Sequence, residues 1–200
     1  MRRLLSLAEP ARTAFAVSLV FGTTSAILGV HMPYLPVWLD WVGLSPSEIA
    51  LLGSVPLFVR VVATPLAGFY ADRWGRPALF VVLFSWATFA AFAVLAQGRS
   101  FPVLLAATIL FACAWTPVLP LAEAVSMSAV RRSGLDYGRM RLWGSITFIA
   151  TNVAGGWMLE RLGAPSIVWL IGGLCLLSAF AAGMLLTTEA STSAGGGGTT

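Results

Sequence analysis

Apolar runs of roughly 20 residues or more recur along this chain, and nothing else in the sequence restricts its fold as tightly. The six runs extend over about Thr13 to Leu39, Ser47 to Ala71, Ala78 to Ala96, Phe101 to Val130, Met140 to Leu159 and Pro165 to Leu186. As helices rising about 1.5 Å per residue, all are long enough to cross a hydrocarbon layer of about 30 Å. Composition closes off a soluble fold: 58% of the 200 residues are hydrophobic and 10% charged, too few charges to cover so much apolar surface. In lipid the backbone must satisfy its own hydrogen bonds, which leaves helices or a closed barrel. Barrel strands alternate apolar and polar residues over about ten positions. These runs do not alternate, so the expected class is an all-α membrane protein.

The twelve basic residues are all arginines. Nine of them (Arg2, Arg3, Arg12, Arg73, Arg76, Arg131, Arg132, Arg139 and Arg141) fall on one side of a six-span topology, against Arg99 and Arg161 on the other. That bias predicts both termini in the cytoplasm, with the chain in a bacterial inner membrane. The expected organisation is a cytoplasmic segment at 1–12, a six-helix half-bundle at 13–186, and a flexible Gly/Ser/Thr linker at 187–200. The net charge of +4 is spread over loops and forms no nucleic-acid surface. Cys113 and Cys175 lie within apolar runs and read as buried thiols rather than a disulfide or metal site. The basic start Met1-Arg2-Arg3 precedes a run too long for a signal-peptide core and without a clear cleavage site.

An internal repeat sharpens the fold. Pro117-Val-Leu-Pro120 echoes Pro33-Tyr-Leu-Pro36, 84 residues earlier, and the Gly156 to Gly163 stretch echoes Gly68 to Gly75 at an offset of 88. An offset of three spans reverses direction across the membrane. The expected bundle is therefore two inverted three-helix repeats, residues 13–96 and 101–186.

The polar hinge GFYADRWGRP at 68–77 interrupts the second and third runs. Gly68 suits close backbone approach, Gly75 a tight turn and Pro77 a helix start, while Asp72, Arg73 and Arg76 carry charge. This order resembles the loop between the second and third membrane helices of the major facilitator superfamily, matching Gly68, Ala71, Asp72, Arg73, Gly75 and Arg76. Tyr70 and Pro77 depart from the usual aliphatic and basic residues there. A second stretch, LDYGRMRLWGS, contains Asp136, Tyr137, Gly138, Arg139 and Arg141. It resembles the loop between the fourth and fifth helices in the branch that includes phenylpropionate permease-like proteins and nucleoside–proton symporters. The resemblance covers Phe15 to about Leu186, one half of such a protein. It implies half of a twelve-helix bundle working by rocker-switch alternating access, commonly driven by protons. It also implies that Asp72, Arg73 and Arg76 form a gate latch whose counterpart lies in a second six-helix half.

Charged and polar residues inside the runs are candidates for the pathway. Arg60 lies about 16 Å from the arginine-rich edge, a depth at which it must face a cavity or a partner. It either binds an anionic group or is locked in a static ion pair. Glu123 lies about 10 Å deep and is Arg60's natural partner. It serves either as a protonation site or as a structural acid near the interface. His31, before Pro33 and Pro36, suits a proton relay, a solute hydrogen bond, or a bond to a neighbouring helix. The paired prolines at 33/36 and 117/120 are expected to break the helical ladder and free carbonyls. Asn152 reads as interhelical glue or a cavity residue, and Trp115 as core packing or a stacking surface for an aromatic solute. Trp38, Trp41 and Trp169 read as belt residues at the outer interface.

No phosphate loop, metal-ligand spacing or nucleophile–base pair is evident, so neither an enzyme nor a cofactor is expected. The reading is secondary active transport of a small organic solute, an aromatic acid or nucleoside-like compound, by proton symport. Its partners are the solute, protons, the lipid bilayer, and a second six-helix half or a second copy. The alternatives are a non-transporting membrane scaffold or an inactive truncated half.

Overall fold

Proline, glycine and short polar side chains punctuate the apolar runs, and the helices begin and end at them. A computed structural model describes the backbone of residues 2–195 and the side chains of 11–131 and 134–186. It contains α1 (Arg2–Val42), α2 (Pro46–Trp74), α3 (Pro77–Leu95), α4 (Phe101–Trp115), α5 (Val118–Ser133), α6 (Tyr137–Leu162) and α7 (Pro165–Gly195). Among the described residues every element is helical. Ser45 caps α2 in a reciprocal box with Glu48, and α2, α3 and α4 each carry Pro in the first turn, where a missing N–H costs nothing. Helix α7 continues through part of the stretch read as linker, to Gly195, and 196–200 lie outside the described residues.

Among the described residues, five stretches are long and apolar enough to cross a membrane: Ala11–Val42, Pro46–Trp74, Pro77–Leu95, Phe101–Arg131 and Pro165–Leu186. The fourth contains both α4 and α5, split at Trp115–Val118. Helix α6 has 26 residues, about 39 Å, and is less apolar because one side is built of Gly and Thr. That side packs along α1, while Trp143, Ile146, Ile149, Val153 and Trp157 form an exposed apolar stripe on the other.

Counting α4 and α5 as one span, the packing partners exchange in pairs when the first triplet of spans is swapped for the second. Helix α1 packs on α6 and α7, and the α4–α5 span packs correspondingly on α2 and α3. Helices α3 and α7 contact each other, as do α1 and α5. The six-span bundle is thus two inverted three-helix repeats. Its core has two parts. One gathers Val17, Phe21, Ala71, Val81, Leu121, Met140 and Leu185 toward the arginine-rich end. The other gathers Ile27, Trp38, Phe92, Leu95, Leu104, Phe111 and Ile171 toward the opposite end.

Three expectations are corrected here. Trp38 is 2% exposed and belongs to the core, whereas Trp41 and Trp169 are exposed as belt residues should be. Cys113 is exposed and only Cys175 is buried. Pro33 and Pro36 do not break α1, which stays helical because Tyr34 anchors this turn to α6. Only Pro117 divides a span.

The α1–α6 seam is the tightest joint in the bundle. A Cβ built at Gly29 would lie 2.6 Å from both the Phe148 carbonyl oxygen and Thr151 Oγ1, so only glycine allows the backbones this close. Tyr34 Oη donates to the Asn152 carbonyl at 2.7 Å, and its ring lies over Gly155. The Thr147 hydroxyl reaches the Gly22 carbonyl at 2.7 Å, and that of Thr151 reaches the Ala26 carbonyl at 3.1 Å.

Candidate functional site

The hinge at 68–77 is a helix stop followed by a helix start. Gly75 adopts the left-handed conformation (φ 64°), and its N–H reaches the Ala71 and Asp72 carbonyls, satisfying the end of α2. Pro77 then opens α3. Asp72, Arg73 and Arg76 are all exposed and, among the described residues, make no ion pair. Among the described residues nothing approaches Gly68, where an added Cβ would meet open space. The close approach expected there is not made within this chain.

Glu123 does not pair with Arg60. Its carboxylate accepts a charge-assisted hydrogen bond from Arg141, which also donates to Tyr137 Oη at 2.7 Å. Tyr137 and Arg141 stand one turn apart on α6 and face Glu123 on α5, so the cluster joins the two helices. Arg60 lies on the open side of α2 among exposed Phe58, Val61 and Val62. The reason is tertiary: α2 leans chiefly on α4 and only lightly touches α5, leaving most of its surface uncovered.

His31 and Trp115 do come together. Their ring centroids are 5.1 Å apart, and Phe111 stacks on both, at 5.2 Å from His31 and 5.3 Å from Trp115. His31 Nε2 and Trp115 Nε1 are buried without a hydrogen-bond partner, an arrangement that costs roughly 1–3 kcal/mol per group unless something satisfies it. This aromatic cluster sits where the fourth span is broken. Pro117 and Pro120 offer no N–H to the carbonyls of Cys113 and Thr116, four residues earlier. Trp115 and Glu123 are eight residues apart along this span, about 12 Å at helical rise, so the cluster and the ion pair occupy successive depths.

Asn152 serves the seam through its main-chain carbonyl rather than its amide. Asp136 caps α6 by accepting from the Arg139 N–H at 3.2 Å, and Gly138 keeps that first turn clear of the Asp136 carboxylate. Arg139 lines a groove between α1 and α6. Sequence reasoning missed Tyr34, Thr147 and Thr151, although Gly29 with Thr147 and Thr151 at i, i+4 spacing is the small-and-hydroxyl signature of a close helix pair. Among the described residues, no three metal-ligating side chains converge.

The site thus lies in a bundle of six spans in two inverted repeats, with a broken fourth span and a half-exposed ion pair, the fold expected for half of a facilitator-type bundle. Comparison with known proteins agrees. The profile of the MFS_1 like family matches residues 16–196, and the chain belongs to that family, within the major facilitator superfamily. It is 28% identical over 168 residues to maltose permease of Geobacillus stearothermophilus, covering 84% of this chain and 41% of the permease. It is 30% identical over 168 residues to the probable 3-phenylpropionic acid transporter of Escherichia coli K12, covering 79% of this chain and 40% of that protein. The fold is similar to that of the nucleoside transporter NupG, with a TM-score of 0.75 at 18% identity, over 88% of this chain and 44% of NupG. The chain thus spans about two fifths of the length of these curated relatives.

Proposed function

We propose that this chain is the first half of a secondary transporter that moves a small organic solute by alternating access, coupled to protons. The observation that carries the reading is the Glu123–Arg141–Tyr137 cluster, an ion pair between α5 and α6 on the uncovered side of the bundle. A static scaffold gains little from a half-exposed ion pair. A carrier gains a switch: protonation of Glu123 removes the charge that holds Arg141, and α5 is then free to move against α6.

The solute would sit deeper, against His31, Phe111 and Trp115. Stacked ring faces with two unsatisfied N positions suit a planar ring bearing polar substituents. An aromatic acid or a nucleoside-like compound has that shape, in line with the probable 3-phenylpropionic acid transporter and the nucleoside transporter to which the chain is similar. Asp72, Arg73 and Arg76 would latch against a second six-helix half laid over the exposed face of α2, where Arg60 would find its anionic partner or the solute. The arginine bias supports both termini on the cytoplasmic side, and the membrane proposed is a bacterial inner membrane.

The test uses proteoliposomes with both halves present and a panel of 3-phenylpropionate, uridine and maltose. Glu123→Gln should abolish accumulation driven by a pH gradient while sparing exchange of labelled solute, because exchange needs no net proton movement. Undiminished accumulation in Glu123→Gln would remove this residue from coupling. Loss of exchange along with accumulation would make it a structural residue.

A further inference from the structure

The second loop motif has one residue that neither the cap nor the ion pair uses. Asp136 caps α6 and Arg141 holds Glu123, but the Arg139 side chain, among the described residues, has no ion pair or hydrogen bond. It stands, beside the Asp136 carboxylate that accepts from the Arg139 N–H, at one end of a groove of about 690 Å³ floored by α1 and walled by α6 and α7. Phe15, Leu19, Ala26, Trp143, Ala150 and Leu177 give it an apolar lining. Its threonines are already engaged, Thr23 with the Leu19 carbonyl and Thr147 and Thr151 with carbonyls across the seam. The groove exists because α6 and α7 meet at the Gly163 turn and diverge from it, touching only lightly along their length. From Ala14 to Ala26 it extends twelve residues along α1, about 18 Å, slightly more than half of a 30 Å hydrocarbon core.

We infer that this groove holds one acyl chain of an anionic phospholipid from the leaflet at the arginine-rich end, with the phosphate on Arg139. Three features select that occupant. The length matches one leaflet, the side lies open between two membrane helices, and the cation falls at headgroup level beside the first turn of α6. The inference needs only that the chain crosses a membrane and does not depend on transport.

Trp143 lines the groove one turn beyond Arg139 and reports occupancy directly. The chain is reconstituted in phosphatidylcholine vesicles containing either dibrominated phosphatidylglycerol or dibrominated phosphatidylcholine at the same mole fraction. The fluorescence quenching due to Trp143 is taken as the difference from Trp143→Phe. Brominated phosphatidylglycerol should bind about fivefold more tightly than brominated phosphatidylcholine, the size of one arginine–headgroup contact. Arg139→Gln should bring the two lipids level and Arg139→Lys should retain most of the preference. Ala150→Phe, which fills the groove without adding a fluorophore that competes with Trp143, should reduce quenching by both, with helical content by circular dichroism unchanged. Equal quenching of the wild type by the two lipids would overturn the inference. So would absence of Trp143 quenching by either, which would mean that protein covers the groove.

Discussion

Gly29→Ala probes the joint on which the bundle turns. A methyl group there would start 2.6 Å from the Phe148 carbonyl oxygen and 2.6 Å from Thr151 Oγ1. Reaching ordinary contact requires α1 and α6 to separate by roughly 0.8 Å, and a backbone carbonyl cannot turn aside as a side chain can. Overpacking of this kind costs about 1–3 kcal/mol. Separation also stretches the Thr147–Gly22 and Thr151–Ala26 hydrogen bonds, worth about 0.6 kcal/mol each between membrane helices. Alanine recovers up to about 1 kcal/mol over glycine in a helix interior. The net expectation is a destabilisation of about 2 kcal/mol. Gly173→Ala on α7 supplies the contrast: a Cβ there meets nothing within 4 Å, so only the propensity gain of up to about 1 kcal/mol remains. Equilibrium unfolding in mixed micelles with rising dodecyl sulfate reads both. If Gly29→Ala is as stable as the wild type, the seam is not close-packed and the account of why α1 survives two prolines loses its basis.

Other substitutions test separate joints. Tyr34→Phe removes one interhelical hydrogen bond and should cost about 0.6 kcal/mol in the same assay, with most of that cost absent in a Gly155→Ala background where the ring is already displaced. Gly75→Ala places a side chain at φ 64° in open space, so the cost is conformational alone, about 1 kcal/mol, and Gly75→Asn should cost less. His31→Leu replaces a buried, unpartnered nitrogen with apolar surface, so stability should hold or rise by about 1 kcal/mol while solute exchange falls at least tenfold. A stability loss with exchange intact would mark His31 as a packing residue.

Much of the bundle was legible because membrane helices are governed by local rules. Hydropathy located the spans, and the Gly75–Pro77 pair marked a helix stop and start that depend on φ and a missing N–H rather than on neighbours. The proline pairs were ambiguous for a tertiary reason. Pro33 and Pro36 sit in a helix clamped by Tyr34, whereas Pro117 falls between α4 and α5 where the fourth span divides. Arg60 and Glu123 looked like partners because both are charged and buried in sequence. Which helix faces which is not written in either run, and α5 faces α6 through Arg141. Trp38 followed the same logic in reverse, since its position near a span end hid its place in the core. His31 and Trp115 are separate candidates in the sequence, and only the meeting of their rings with Phe111 shows that they share one aromatic cluster.

The central claim is that Glu123 exchanges its bond to Arg141 for a proton as solute crosses. A pH-sensitive dye trapped in proteoliposomes with both halves present tests it when solute flows inward down its own gradient, with no pH difference imposed. Coupled entry should acidify the lumen in the wild type, whereas Glu123→Gln should give neither net entry nor acidification while still exchanging labelled solute. Entry without acidification in the wild type would contradict proton coupling, and equal acidification in both would contradict the role of Glu123.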